Sequence, residues 1–185
     1  LYDSVKNAPK DTDNTNIELE KELYQSIQYT RRNNIEISGI PDIFSDKLEE
    51  KVIDICNALE IVVTKDQIEA CHFMFSKKKS SEKKVIVRFM NRNITEELMS
   101  KRRMTDDIIS ELGFPVGTKL YFNDNLCPYL RDLWFKCRRL KKDKKVKYVW
   151  TIKGSLKIRR DDTSPILDIK HKIDLSSNFE DEDFD

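Results

Sequence analysis

The residues with the clearest chemical potential are the cations of residues 136–160. This segment contains twelve lysines and arginines but a single acid, Asp143, and the aromatic residues Tyr148 and Trp150 lie among the cations. Cations neutralise phosphates and aromatic rings stack on bases, so the combination is typical of a surface that binds a polyanion. The twelve cations are Lys136, Arg138, Arg139, Lys141, Lys142, Lys144, Lys145, Lys147, Lys153, Lys157, Arg159 and Arg160.

The net charge of +1 conceals an uneven distribution along the chain. Residues 1–66 carry 8 basic and 14 acidic side chains, residues 67–175 carry 26 and 14, and residues 176–185 carry none and 5. A solvated charged face and an anionic membrane surface are the alternatives to a nucleic-acid partner. We expect nucleic acid and no membrane, because a membrane-bound helix should place bulky apolar residues opposite its cations. Here the apolar stripe must instead close a small core.

Other motifs favour structural roles. Gly113, Gly117, Thr118 and Lys119 predict a turn, since a P-loop has four residues between its glycines and has Lys before Ser or Thr. The four cysteines form no CxxC pair, and Cys71-His72 lacks the spacing of a zinc site. Neither histidine lies beside a recognisable nucleophile motif. We therefore expect reduced, mostly buried cysteines, no catalytic residue, no metal and no cofactor.

A helix must position the first half of the basic segment. Pro128 favours a helix start, and the apolar stripe continues to about Lys142. The stripe consists of Leu130, Leu133, Trp134, Cys137 and Leu140. A different stripe of the same helix consists of Arg131, Phe135, Arg138 and Lys142.

A hairpin, residues 146–152 and 155–160, must position the second half. A two-residue loop at Lys153-Gly154 places Tyr148 and Trp150 on one face together with Lys157 and Arg159. The other face, which we expect to be core, then carries Val149, Thr151, Leu156 and Ile158. A three-residue loop would shift the register by one residue and turn Trp150 toward the core. We favour the two-residue loop.

The preceding part of the chain predicts a separate domain. Strand patterns at 33–40, 68–75, 83–90 and 120–126 alternate with helix patterns at 47–61 and 93–104. The order βαββαβ is that of a ferredoxin-like sheet, the topology used by RRM domains. The RNP1 consensus of ordinary RRMs is absent, because Val85-Ile86-Val87-Arg88-Phe89 occupies its place.

The two ends of the chain predict little globular structure. We expect residues 1–16 to be disordered, because they are polar and have no apolar periodicity. Residues 17–29 predict a helix with Leu19, Leu23 and Ile27 on one stripe, and so short a helix must pack on something or end a longer one. Residues 176–185 predict an acidic disordered tail. The polar amino-terminal residues are no signal peptide, which favours a cytoplasmic or nuclear protein.

Several short stretches resemble known families. Tyr29-Thr30-Arg31-Arg32-Asn33-Asn34-Ile35-Glu36-Ile37-Ser38-Gly39-Ile40-Pro41 resembles the start of the RRM-like domain in the first-frame proteins of non-LTR (LINE-type) retrotransposons. The stretches 120–126, 147–150 and 157–161 resemble the C-terminal domain of the baculovirus few-polyhedra (FP) protein and its arthropod relatives. The resemblance covers roughly residues 24–170. It implies an upstream coiled coil that forms a homo-oligomer, an RRM-like domain and a basic C-terminal domain, which together bind single-stranded nucleic acid and act as its chaperone.

Together these observations predict an α+β protein. The end of a possible coiled-coil helix, residues 17–29, precedes an RRM-like domain, 29–126, and a small basic helix-plus-hairpin domain, 127–175. The expected function is binding of single-stranded nucleic acid, RNA favoured over DNA, with little sequence preference, as a nucleic-acid chaperone of a retrotransposon or virus-derived particle. The alternative is a protein-interaction scaffold whose basic domain docks an acidic partner.

The predicted binding residues fall into two groups. The first comprises Arg131, Phe135, Arg138, Arg139, Lys141, Lys142, Lys144, Lys145, Lys147, Tyr148, Trp150, Lys157, Arg159 and Arg160. The second, of secondary contacts, comprises Arg31, Arg32, Arg88, Arg102 and Arg103.

Overall fold

The computed structural model describes residues 8–74 and 84–179. The chain divides into two compact units, a middle unit of residues 32–125 and a terminal unit formed by residues up to 31 and from 126. The helices are α1 (Ala8–Tyr29), α2 (Leu48–Ala58), α3 (Arg92–Lys101), α4 (Asp106–Glu111), α5 (Pro128–Lys142) and α6 (Lys172–Ser176). The strands are β1 (Asn34–Ser38), β2 (Ile68–Phe73), β3 (Lys84–Phe89), β4 (Tyr121–Asp124), β5 (Tyr148–Ile152), β6 (Ser155–Arg159) and β7 (Leu167–Ile169). The expectation of an α+β protein is confirmed.

The middle unit contains a four-stranded antiparallel sheet in the order β2-β3-β1-β4. Alternation along the strands places Ile35 opposite Val87 and Ile37 opposite Val85, and all four side chains are fully buried. These residues form one core with the apolar stripes of α2 and α3, which include Val52, Ile55 and Leu98. The helices therefore cover a single face of the sheet.

A polar cluster lies at the centre of this sheet, on the face away from that core. Glu36 is 3 % exposed, and its carboxylate accepts from Asn125 Nδ2 at 2.8 Å and pairs with Lys84 Nζ at 3.3 Å. Asn34 Nδ2 donates to Asn125 Oδ1 at 3.2 Å. Because a buried carboxylate is costly unless it is hydrogen-bonded, this cluster fixes the register of β1 against β3 and of the chain after β4.

Two short 3₁₀ helices and α4 supplement the predicted elements of the middle unit. The 3₁₀ helices span Asp42–Lys47 and Lys65–Gln67, and Thr105 Oγ1 caps α4 by accepting from Ile108 N at 3.4 Å. Elements this short carry too few apolar repeats for a periodicity to be visible in the sequence.

In the terminal unit, α5 packs on a three-stranded antiparallel sheet in the order β5-β6-β7. The β5-β6 register pairs Tyr148 with Arg159 and Trp150 with Lys157, so the predicted two-residue loop is confirmed. Both loop residues, Lys153 at φ 52° and Gly154 at φ 76°, have the left-handed conformation that such a turn needs.

Helix α1 belongs to the terminal unit and begins at Ala8, inside the segment that we expected to be disordered. That expectation is wrong for residues 8–16, and residues 1–7 lie outside the described part of the chain. The Tyr24 ring stacks on Tyr129 of α5, with 3.7 Å between centroids and 5° between planes. Gln28 Oε1 accepts from Cys127 N at 2.8 Å. Helix α1 thus has a packing partner in its own unit, which its sequence alone did not identify.

The carboxyl end of the terminal unit extends beyond the predicted boundary at 175. Strand β7 and helix α6 are followed by Phe179, which is 9 % exposed and lies in the core with Leu175 and Ile169. Residues 176–179 are therefore not a disordered tail. The rest of that predicted tail, 180–185, lies outside the described residues.

No helix within residues 8–74 and 84–179 is long and apolar enough to cross a bilayer.

Candidate nucleic-acid interface

The outward side of α5 presents an aromatic ring among cations. Leu130, Leu133, Cys137 and Leu140 are buried, and they face the sheet. At 100° per residue, the opposite side of the helix centres on Phe135, which is 64 % exposed. Three cations, Arg131, Arg138 and Arg139, lie within about one turn of it on that side, and Lys142 lies two turns further on. We call this the helix surface, and it consists of Arg131, Phe135, Arg138, Arg139 and Lys142.

Several cations of the helix surface and of the turn that follows have no ion pair within the described residues, or only a long one. Arg139 Nε lies 3.9 Å from Asp143 Oδ2, at the outer limit of an ion pair. The Arg138 guanidinium lies over the Trp134 ring, 5.8 Å from its centroid. Among the described residues, Lys141, Lys142 and Lys144 form no ion pair, and all three are exposed. Their charge is available to an external anion.

The outer side of the β5-β6 hairpin presents the other predicted aromatic residues. Leu156 and Ile158 point into the core, so strand alternation turns Lys157 and Arg159 outward, together with their opposed residues Trp150 and Tyr148. Trp150 is half-buried and Tyr148 is 37 % exposed. We call these four residues the hairpin face.

The cations of the hairpin face and its border are paired within the protein. Asp162 Oδ2 pairs with Lys147 Nζ. Asp162 Oδ1 accepts a hydrogen bond from Tyr148 Oη at 2.5 Å. These hydrogen bonds hold the pKa of the Asp162 carboxyl below its usual range and raise the pKa of the Lys147 ammonium. Lys157 pairs with Asp168 on β7.

The two arginines at the end of β6 are also engaged. Arg159 Nε donates to Ser164 O at 2.8 Å, and its guanidinium also donates to Asp162 O. Arg160 donates to Asn178 O and lies 4.8 Å from the centroid of the Phe179 ring. Both arginines therefore have structural contacts that any ligand would have to share or displace.

The helix surface and the hairpin face lie on opposite sides of the terminal unit. Helix α5 covers the inner face of the sheet, and the hairpin face is the outer one. The first group of predicted binding residues is therefore divided between two surfaces. The turn at 143–147 is the segment that joins the two surfaces, and Lys144 there has a φ of 59°.

Sequence reasoning missed the loop that neutralises the hairpin face. Hydrogen bonds from the Ser164 and Thr163 hydroxyls lower the pKa of the Asp161 carboxyl, and those from Thr163 N at 2.8 Å and Ser164 N at 2.7 Å lower it further. This is an Asx-type turn, which the run Asp-Asp-Thr-Ser-Pro signals in the sequence. The run gives no sign that Asp162 reaches Lys147, because that contact depends on how the loop folds back over β5.

The secondary candidate arginines are not gathered into one site within either unit. In the middle unit, Arg88 on β3 pairs with Glu69 Oε2 at 2.8 Å, and Arg102 and Arg103 are exposed just after α3. Arg32 is exposed in the same unit, whereas the half-buried Arg31 ends the amino-terminal part of the terminal unit.

The cysteines are free, and Cys56, Cys127 and Cys137 are buried, as expected. Burial raises the pKa of Cys56, Cys71 and Cys137 to about 12, so these thiols are protonated at neutral pH.

The two histidines lie in different surroundings. His72 is exposed on β2, whereas His171 is buried and forms a hydrogen bond with Glu20 Oε2 at 2.8 Å. Within the described part of the chain, no three His, Cys, Asp or Glu side chains are grouped so that they could hold a metal ion.

A comparison with protein families matches residues 127–177 to baculovirus FP protein domain 2. The match begins one residue before α5, includes β5, β6 and β7, and ends just after α6. It confirms the resemblance to the FP protein within these residues. The resemblance to retrotransposon proteins stays a prediction. A comparison with curated proteins finds no match to the chain.

Proposed function

We propose that the protein binds single-stranded nucleic acid with little sequence preference, RNA favoured over DNA, and that the helix surface is the principal contact. The observation that carries the proposal is the position of Phe135. Its ring is 64 % exposed on the side of α5 away from the core, and cations surround it. Cations bind the phosphates of any sequence, and a ring stacks on any base, so the combination confers affinity without sequence readout.

A purely structural role explains only part of the helix surface. Cations in the last turn of a helix interact favourably with its dipole, which accounts for Arg139, Lys141 and Lys142. It does not account for Arg138, which precedes that last turn by one residue, or for an exposed phenylalanine that adds nothing to the core. The cations of the hairpin face already have partners, so we assign that face a secondary role.

We further propose that the middle unit is an RRM-like domain. Its strand order β2-β3-β1-β4, with α2 between β1 and β2 and α3 between β3 and β4, supports this assignment. The face of the sheet away from the helices carries Glu36, Ile86 and Arg88 at central positions. Because none of these is aromatic, we propose that these central positions do not stack bases as those of an ordinary RRM do.

The resemblance supports wider proposals about the whole protein. These are an upstream coiled coil that forms a homo-oligomer, nucleic-acid chaperone activity in a retrotransposon or virus-derived particle, and a cytoplasmic or nuclear location. The competing proposal is a scaffold whose basic domain docks an acidic protein. We expect the protein to have no catalytic activity.

A pull-down with and without nuclease separates the two classes of function. We expect partners to be lost on nuclease treatment, whereas partners retained after it favour the scaffold. A direct titration completes the test. The double variant R138Q/K142Q should bind an oligouridylate about 10-fold more weakly at 50 mM salt, since two phosphate contacts are lost. The control K47Q/K119Q has the same net charge but changes exposed lysines of the middle unit, and should bind like the wild type.

A further inference from the structure

We infer that Lys147 and Tyr148 form a phosphodiester-binding subsite that Asp162 occupies as an intramolecular substitute for the phosphate. This inference rests on the proposed function and adds a regulated contact to it. The subsite shares Tyr148 with the hairpin face and is separate from the helix surface.

The geometry of the Asp162 carboxylate supports the inference. Its two oxygens bind two different donors, Oδ2 the Lys147 ammonium and Oδ1 the Tyr148 hydroxyl. A phosphodiester likewise carries one negative charge spread over two non-bridging oxygens. A pair of donors that holds a carboxylate through both oxygens can therefore hold a phosphodiester in the same way.

The surroundings of the subsite suit a nucleotide chain. The Lys147 ammonium lies 5.3 Å from the centroid of the Tyr148 ring, which is itself 37 % exposed. Trp150 is two residues further along β5 on the same side, about 7 Å away. A phosphate bound at Lys147 would thus have two aromatic rings beside it for the adjoining bases.

Asp162 is able to leave the subsite. Its side chain is 64 % exposed and that of Lys147 is 52 % exposed, and an ion pair in such contact with water is weak. The loop does not depend on this ion pair, because Asp161 holds it through the backbone N–H groups of Thr163 and Ser164. Replacing Asp162 by the isosteric Asn should therefore remove the competing charge and leave the loop in place.

The first test measures binding of a fluorescein-labelled oligouridylate to the full chain by anisotropy over a range of salt concentrations. We expect D162N to bind roughly 3- to 10-fold more tightly at 50 mM salt, with a slope of log K against log salt steeper by about 0.7, equivalent to one added phosphate contact. The matched control is E22Q, which changes the net charge equally at an exposed position of α1 in the same unit. It should leave the slope unchanged.

A double variant shows whether the gain passes through Lys147. K147Q/D162N has the net charge of the wild type and no ammonium in the subsite, so its affinity and slope should return to wild-type values. The inference is overturned if D162N behaves like E22Q, or if its gain persists in K147Q/D162N.

A titration with inorganic phosphate, followed by NMR of backbone amides, tests the subsite apart from nucleic acid. We expect phosphate to shift the amide resonances of Lys147 and Tyr148 in D162N at concentrations that leave the wild type unchanged. If neither resonance moves in D162N, the subsite is refuted even where the protein binds oligouridylate. If they move but no variant binds oligouridylate, the subsite stands as an anion site and the proposed function fails.

Discussion

Truncation of Phe135 to alanine is the most direct test of the helix surface. The ring is 64 % exposed and points away from the core, so F135A removes little packing. Alanine also has the higher helix propensity, by about 0.5 kcal/mol, which offsets part of the lost contact area. We therefore expect the free energy of unfolding to change by less than about 1 kcal/mol.

The expected loss of binding is much larger than the loss of stability. Stacking of one base on an aromatic side chain contributes about 1–3 kcal/mol, which corresponds to a roughly 5- to 150-fold change in affinity. Substitution to leucine should recover little of this loss, because a leucine side chain has no π-face. Tryptophan should restore it.

The control for this prediction is on the same helix, two residues away. Leu133 is 1 % exposed and lies in the core of the terminal unit, so L133A should cost about 2–5 kcal/mol of stability. Thermal unfolding and fluorescence anisotropy on both variants give stability and affinity separately. L133A should unfold at a lower temperature, whereas F135A should unfold like the wild type and bind more weakly.

Two results would refute the reasoning. If F135A binds oligouridylate as tightly as the wild type, the helix surface does not stack bases and Phe135 has another role. If F135A instead loses several kcal/mol of stability, the ring packs against part of the protein and is not available to a ligand.

Four further predictions concern salt, the hairpin face and the carboxyl end. With about five phosphates neutralised, the slope of log K against log salt should be near −3.5, so that 200 mM salt weakens binding roughly 100-fold relative to 50 mM, and a slope near zero in a filter-binding titration would contradict this. W150A should change the melting temperature little, because Trp150 faces away from the core, and should weaken binding less than F135A while Asp162 is present. F179A should cost up to about 3–5 kcal/mol in a denaturant titration, because Phe179 is 9 % exposed and packs on the terminal core. Removal of residues 180–185 alone should instead strengthen binding below about 0.1 M salt, since it removes five acids, and unchanged affinity would exclude competition by these residues.

Local patterns in the sequence predicted most of the regular structure. The predicted strand at 83–90 and helix at 128–142 correspond to β3 at Lys84–Phe89 and α5 at Pro128–Lys142. The hairpin register also followed from the sequence, because a two-residue loop with glycine at its second position fixes which residues oppose each other. Such features depend on residues a few positions apart, whose preferences the sequence displays directly.

The tertiary structure alone decided which cations are available. Twelve cations between 136 and 160 are visible in the sequence, but the partners of Lys147 and Lys157 come from a loop and from β7. It also placed α5 on the inner face of the hairpin sheet, which puts the helix surface and the hairpin face on opposite sides. Charge and periodicity are properties of single residues and short segments, whereas ion pairing and the side on which a helix packs depend on contacts between distant segments.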